Sequence, residues 1–286
     1  MNWSAAWLTT TNAFWEKAIL ARWSRFRALD FRSAAERKQT RPFVLLLAFA
    51  LSAYSADLSE THLGQGIDAY NVHDYGTAIQ HLRGLAPKVS RLSDYVTYYL
   101  ASSEMQVGEV DSAVRDLAAY RAHPAASSPL AGKLNLLDAR ALLAQKVAAS
   151  NNLALDILQK NYKALPQPDG DFALGTAYEA TGERPQAALS YSRVYYSYPN
   201  TPLAAQAWDA MQRLRDSLGK DFPVAPALEQ LDRCQKWLDA KQYNNARSEY
   251  SSLATSLPQP DRDEAKVGIG VTDFLAGETA VSLRYL

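Results

Sequence analysis

Four histidines, one cysteine and thirty carboxylates are the groups from which this chain could build an acid–base or metal site. His62, His73, His81 and His123 form no His-x-x-x-His or His-Glu-x-x-His pair, the spacing that turns two imidazoles toward one zinc ion from a single helix. They read as surface or loop residues. Cys234 is alone, which excludes an intrachain disulfide, and it reads as an inert buried thiol. Gly64-x-Gly66-x-x-Ala69 has the letters of a dinucleotide-binding turn. That turn needs a preceding strand to aim backbone N–H groups at a pyrophosphate, and the pattern around it is helical. Gly268-x-Gly270 is discounted for the same reason. No Gly-x-Ser-x-Gly elbow and no Walker loop occurs. The carboxylate pairs Asp169/Asp171 and Asp261/Asp263 fall at helix starts, where an aspartate caps free N–H groups without catalysis. The chemistry-bearing residues therefore predict no catalytic group, no cofactor and no metal.

What remains to be read is architecture. The 286 residues carry 30 basic and 30 acidic side chains and are 48% hydrophobic. That balance predicts a folded chain with no pull toward nucleic acid. Residues 1–56 stand apart, with eight basic against three acidic side chains, a net +5. An uncharged block, Phe43–Ala56 (FVLLLAFALSAYSA), follows. It is short of the ~20 residues of a membrane span and matches the roughly 7–15 of a signal-peptide hydrophobic region. Small residues Ala53 and Ser55 suit cleavage before Ala56, and no cysteine follows for lipoprotein processing. The expectation is a signal peptide around residues 38–55 and export to a periplasm; an uncleaved inner-membrane anchor or a buried hydrophobic helix are the other readings. The long stretch ahead of the block, with Trp3, Trp7, Trp15 and Trp23, fits a misplaced start codon or a basic membrane-surface helix.

From residue 57 to 286 apolar residues recur at three- and four-residue spacing, broken every dozen or so residues by Gly, Pro or Asn-Asn. The clearest unit is Leu174-Gly175-x-x-Tyr178-x-x-x-Gly182, then Ala187-x-x-x-Tyr191, then Pro199. It resembles the tetratricopeptide repeat, a helical hairpin of ~34 residues. The same skeleton returns as Gly66 with Ala78 and Leu82, and as Ala101 with Ala113 and Leu117. It returns again as Leu142 with Ala154 and Leu158, as Cys234 with Ala246 and Tyr250, and as Gly268 with Ala280. Anchor alanines lie 35, 41, 33, 59 and 34 residues apart. The 59 leaves room for one extra helix between Pro202 and Gly219. The fold class predicted is all-α, a tetratricopeptide-like solenoid of about six helical hairpins with one additional helix. The small first-helix residues Gly66, Ala101, Gly175 and Gly268 are expected to meet the anchor alanines, with Leu82, Leu117, Leu158, Tyr191 and Tyr250 filling the space between hairpins.

Sixteen tyrosines invite two readings. One is packing between helices with hydroxyls toward solvent. The other is an aromatic wall for sugar rings or an extended peptide, to which Tyr70, Tyr98, Phe172 and Glu179 would contribute from first-helix positions.

The run Asn161–Glu183 (NYKALPQPDGDFALGTAYEATGE) and Tyr191–Pro199 (YSRVYYSYP), behind an exported start, resemble the helical superhelix preceding the catalytic domain of bacterial soluble lytic murein transglycosylases. That resemblance implies a periplasmic scaffold beside peptidoglycan glycan strands. The family's catalytic Glu-Ser pair is absent from this chain, so no catalytic residue carries over, and a catalytic portion is expected beyond residue 286. The alternative is a periplasmic scaffold that holds envelope proteins by helix or extended-peptide docking.

Overall fold

The computed structural model describes residues 59–125 and 127–285; the predicted signal-peptide segment lies outside them. Thirteen α-helices and no strand occur among the described residues. In chain order they are α1 (59–71), α2 (Tyr75–Leu82), α3 (Ser93–Gln106), α4 (Val110–Ala122), α5 (Ala131–Ala144) and α6 (Ala148–Lys160). They continue as α7 (Asp169–Thr181), α8 (Arg184–Ser197), α9 (Pro202–Leu218), α10 (Ala227–Asp239), α11 (Tyr243–Ser256), α12 (Asp261–Leu275) and α13 (Thr279–Ser282). Six helical hairpins result, α1/α2, α3/α4, α5/α6, α7/α8, α10/α11 and α12/α13, and α9 is the extra helix. Each hairpin packs on the next in sequence, so the contacts are those of a nearest-neighbour stack.

One turn builds every hairpin. A single residue in the left-handed region ends each first helix: His73, Gly108, Lys146, Gly182, Lys241 and Gly277. In five of the six the following residue donates its N–H to a carbonyl five residues back, as from Glu183 to Tyr178 (2.8 Å) or Gln242 to Trp237 (2.8 Å). This closure satisfies carbonyls that a helix end leaves free. Glycine enters the left-handed region at no steric cost, whereas His73, Lys146 and Lys241 carry a Cβ into it.

The second helix of each hairpin is read most simply from that turn. Five residues past it stand Ala78, Ala113, Ala187 and Ala246, each fully buried, and nine past it stand Leu82, Leu117, Tyr191 and Tyr250, each at least 95% buried. Two expectations shift. In α6 the five-past position is Asn151, half-buried, and Ala154 is buried one turn later, against Leu158. That shift produces the uneven 41- and 33-residue intervals. In α13 the five-past residue is Ser282, 1% exposed, while Ala280 lies on the solvent side.

The glycines do not meet the alanines as expected. A Cβ on Gly66 would fall 2.6 Å from the Leu82 side chain, one on Gly175 2.7 Å from the Tyr191 ring, and one on Gly268 2.5 Å from the Tyr250 ring. The missing Cβ admits the large side chain instead. Gly66 and Gly175 do so inside their own hairpins, and Gly268 between hairpins, receiving Tyr250 from α11 onto α12. Ala101 is fully buried in the cluster that holds Ala113 and Leu117. Tyr178 is half-buried where α6, α7 and α8 meet, its hydroxyl accepting from Gln159 Nε2 (3.1 Å). Pro199 is buried just beyond α8.

The aspartates of the two Leu-Pro-Gln-Pro-Asp copies are not side-chain caps. Both helices begin one residue after the second proline, behind a cis Gln–Pro bond, with no side-chain cap on the first residue. Asp171 is instead buried, accepting from the Tyr162 hydroxyl (2.9 Å) and from Arg193 Nε (2.8 Å).

Candidate binding faces

Each first helix carries one face that the turn geometry defines: the positions ten, six and three residues ahead of the left-handed residue. On α1 these are Leu63, Ile67 and Tyr70; on α3, Tyr98, Ser102 and Met105; on α7, Phe172, Thr176 and Glu179. All four sequence-predicted groove residues therefore sit on this face. On these three helices it looks into the hairpin, not onto an open wall, whereas on α5 and α10 the middle residues of the face, Arg140 and Gln235, are exposed. Tyr70 packs on the core cluster that holds Leu82 of α2 and meets Tyr75 and Tyr99 edge-on at 5.6 and 5.1 Å. Tyr98 packs on the cluster that holds Leu117 of α4. The Phe172 ring meets Tyr191 edge-on at 5.3 Å, and Glu179 accepts from the Tyr191 hydroxyl (3.1 Å). Burial, with the Glu179 carboxylate next to it, pushes the Tyr191 hydroxyl far above its ordinary pKa. The physical reason is the large residue nine past the turn, Leu82, Leu117 or Tyr191, which packs on the first helix of its own hairpin.

On α12 the same three positions are Val267, Val271 and Phe274, and they are 48%, 36% and 56% exposed. The stripe is apolar at i, i+4 and i+7, and Leu275 (50% exposed) extends it.

Charge is buried along the stack. Arg83, following α2, donates to Glu104 on α3 (3.2 Å) and Glu109 (2.7 Å); Arg121 on α4 pairs with Asp138 on α5; Arg247 on α11 pairs with Asp273 on α12 (2.6 Å). Each joins one hairpin's second helix to the next hairpin's first. Glu104 is fully buried, and its Oε2 has no hydrogen-bond partner. Desolvation, with Asp116 close by, raises its carboxyl to about 7 against the pull of Arg83. Burial likewise raises Asp138, whose Oδ1 is unpartnered.

The extra helix α9 makes an aromatic joint. Leu203, Ala207, Met211 and Leu214 pack on α8, and Trp208, 37% exposed, stacks on Tyr195 of α8 (centroids 4.9 Å, planes 28° apart). The other element on Tyr195 is Arg233 of α10, its guanidinium 3.6 Å from the ring centroid. Arg233 also donates to the Tyr195 carbonyl and, through Nε, to both oxygens of Glu249 (3.0 Å). Glu249 further accepts from Trp237 Nε1 (3.0 Å). This network, which ties α8, α10 and α11, has no sequence signature, because its members lie far apart in the chain.

None of these clusters resembles a reaction centre. The Gly64-x-Gly66 sequence lies within α1, with no strand before it among the described residues. Cys234 is fully buried, and desolvation pushes its thiol up to about 12, far from the reactive thiolate. No group of three or more His, Cys, Asp or Glu converges among the described residues, and no described helix is long and apolar enough to cross a membrane. A cleft of about 430 Å³ at the α11/α12 end is lined by Gln242, Tyr243, Arg247, Asp273 and Glu278, where the Arg247–Asp273 pair already joins the two helices.

These observations define the fold class: an all-α, tetratricopeptide-like stack of helical hairpins, built from one turn and one small-then-large spacing used repeatedly. No protein-family model matches the sequence, and no curated protein matches it. Among solved structures the chain is similar to a thermophilic tetratricopeptide-repeat protein of Thermus thermophilus, at 15% identity and a TM-score of 0.38, over 79% of this chain and 98% of that one.

Proposed function

We propose that the protein is a non-catalytic scaffold that holds a partner protein by helix or extended-peptide docking. The observation that carries this reading is the stack itself, six hairpins built from one turn and one spacing, each packed on the next; such stacks present an extended surface to partners. Photo-crosslinking in cells from Leu189 on α8 and Trp208 on α9, large apolar side chains that are 49% and 37% exposed, is the test. One discrete protein crosslinked from both positions and identified by mass spectrometry supports the reading. No crosslinked protein at either position overturns it.

The setting we propose is the periplasm, on the strength of the basic segment and the apolar block Phe43–Ala56. The resemblance of residues 161–199 to murein transglycosylase superhelices supports a second reading, in which the scaffold lies against peptidoglycan glycan strands. Alkaline phosphatase fused after residue 58 tests export, since it becomes active only outside the cytoplasm. Co-sedimentation of the purified chain with sacculi tests the glycan reading, and no retention overturns it.

A further inference from the structure

Two of the histidines that sequence spacing leaves apart are brought together by the first hairpin. His62 of α1 and His81 of α2, nineteen residues apart, face each other with their Nδ1 atoms 3.1 Å apart. Their ring centroids are 5.3 Å apart and their planes 35° from parallel. The two imidazoles meet at the surface, where a solute reaches them. The backbone beneath them is held. Gly66, one turn after His62, takes the Leu82 side chain that adjoins His81, and Leu63, Ile79 and Leu82 are buried in the hairpin core.

We propose that His62 and His81 form a surface site for a divalent transition metal that imidazole prefers, such as Ni²⁺, Cu²⁺ or Zn²⁺, clipping α1 to α2. Two neutral Nδ1 lone pairs cannot face each other at hydrogen-bond distance unless a proton lies between them, and a metal ion takes that proton's place. With metal–nitrogen bonds of about 2.05 Å, a 3.1 Å separation corresponds to an angle of roughly 98° at the metal, between the square or octahedral 90° and the tetrahedral 109°. In the nearly head-on rings each lone pair points about 41° away from that metal position, and rotation about the side-chain bonds at this exposed surface re-aims both at one point. No described His, Cys, Asp or Glu completes a set of three here, so water fills the other positions. Affinity then follows imidazole preference, greatest for Cu²⁺ and below it for Ni²⁺ and Zn²⁺. His73 stands outside the pair, its Nδ1 engaged with the Tyr75 hydroxyl (2.8 Å).

The test uses untagged, chelator-stripped full-length protein at pH 7.5, titrated with NiCl₂ in a calorimeter and melted with and without the metal. The expected result is one equivalent bound and a melting temperature raised by Ni²⁺ and restored by EDTA, because a ligand held only by the folded state stabilises it. His62→Gln and His81→Gln, each checked by circular dichroism, lose the binding and the shift, while His73→Gln and His123→Gln keep both. Broadening of the His62 and His81 imidazole proton signals by substoichiometric Cu²⁺ gives a second readout that requires no variant. Absence of binding by the unaltered chain, or binding that survives both His62→Gln and His81→Gln, overturns the proposal.

Discussion

Glu104 makes stability fall as pH rises through the neutral range. Its carboxyl is fully buried, one oxygen is unpartnered, and its single cationic partner, Arg83, is half exposed and shared with Glu109. It titrates at about 7 in the fold against 4.5 for an unperturbed glutamate. A carboxyl raised by folding binds its proton more tightly in the native state, so its contribution is fully present below pH 4.5 and is lost as pH climbs through 7. At about 1.4 kcal/mol per pH unit, the loss across that window approaches 3 kcal/mol. Glu104→Gln removes the titration while keeping the shape and an acceptor for Arg83. Urea denaturation of both proteins at pH 4.5, 5.5, 6.5 and 7.5 measures the difference directly. The free-energy gap between native and variant should drift against the native chain by about 2–3 kcal/mol from the acid to the neutral end. A gap that stays constant over that range would refute the reasoning.

Three further outcomes follow from the packing. Gly132→Ala puts a Cβ 1.9 Å from the Ala164 carbonyl oxygen, a backbone atom that cannot step aside, and should cost about 3 kcal/mol or more in thermal or urea denaturation. Gly64→Ala, in open space on α1, should raise stability by up to about 1 kcal/mol through helix propensity alone. Cys234 should stay unreactive toward a disulfide reagent such as DTNB at pH 8 and react at the rate of unfolding, because its thiol is buried and its pKa raised.

The hairpins were legible because glycine, proline and alanine carry so much of their geometry. Gly108, Gly182 and Gly277 mark three of the six turns, and Pro202 and Gly219 bound the extra helix. The other three turns are written with His73, Lys146 and Lys241, residues with no turn signature, and anchoring on alanine letters instead of turns misplaced two registers. In α6 that hid Asn151 behind Ala154; at the end of the chain it chose exposed Ala280 over buried Ser282. The groove candidates fell on one true structural face, but periodicity cannot say whether a face meets a helix of its own hairpin or solvent. Only the packing of the second helix decides, as Tyr191 of α8 does for Phe172 and Glu179 of α7. The buried ion pairs and the Tyr195–Arg233–Glu249 joint were illegible for a simpler reason. Their partners are brought together by stacking, and a charge facing another hairpin has the same letter as a charge facing water.

Gly175→Ala tests most directly whether the hairpins close by a small first-helix residue receiving a large one from the second helix. The added Cβ would fall 2.7 Å from the buried Tyr191 ring, so urea denaturation should show a loss of about 1–3 kcal/mol, and Gly175→Ala combined with Tyr191→Leu should lose less than the sum of the two single changes. A Gly175→Ala chain as stable as the native one, or strictly additive losses, would contradict that closure.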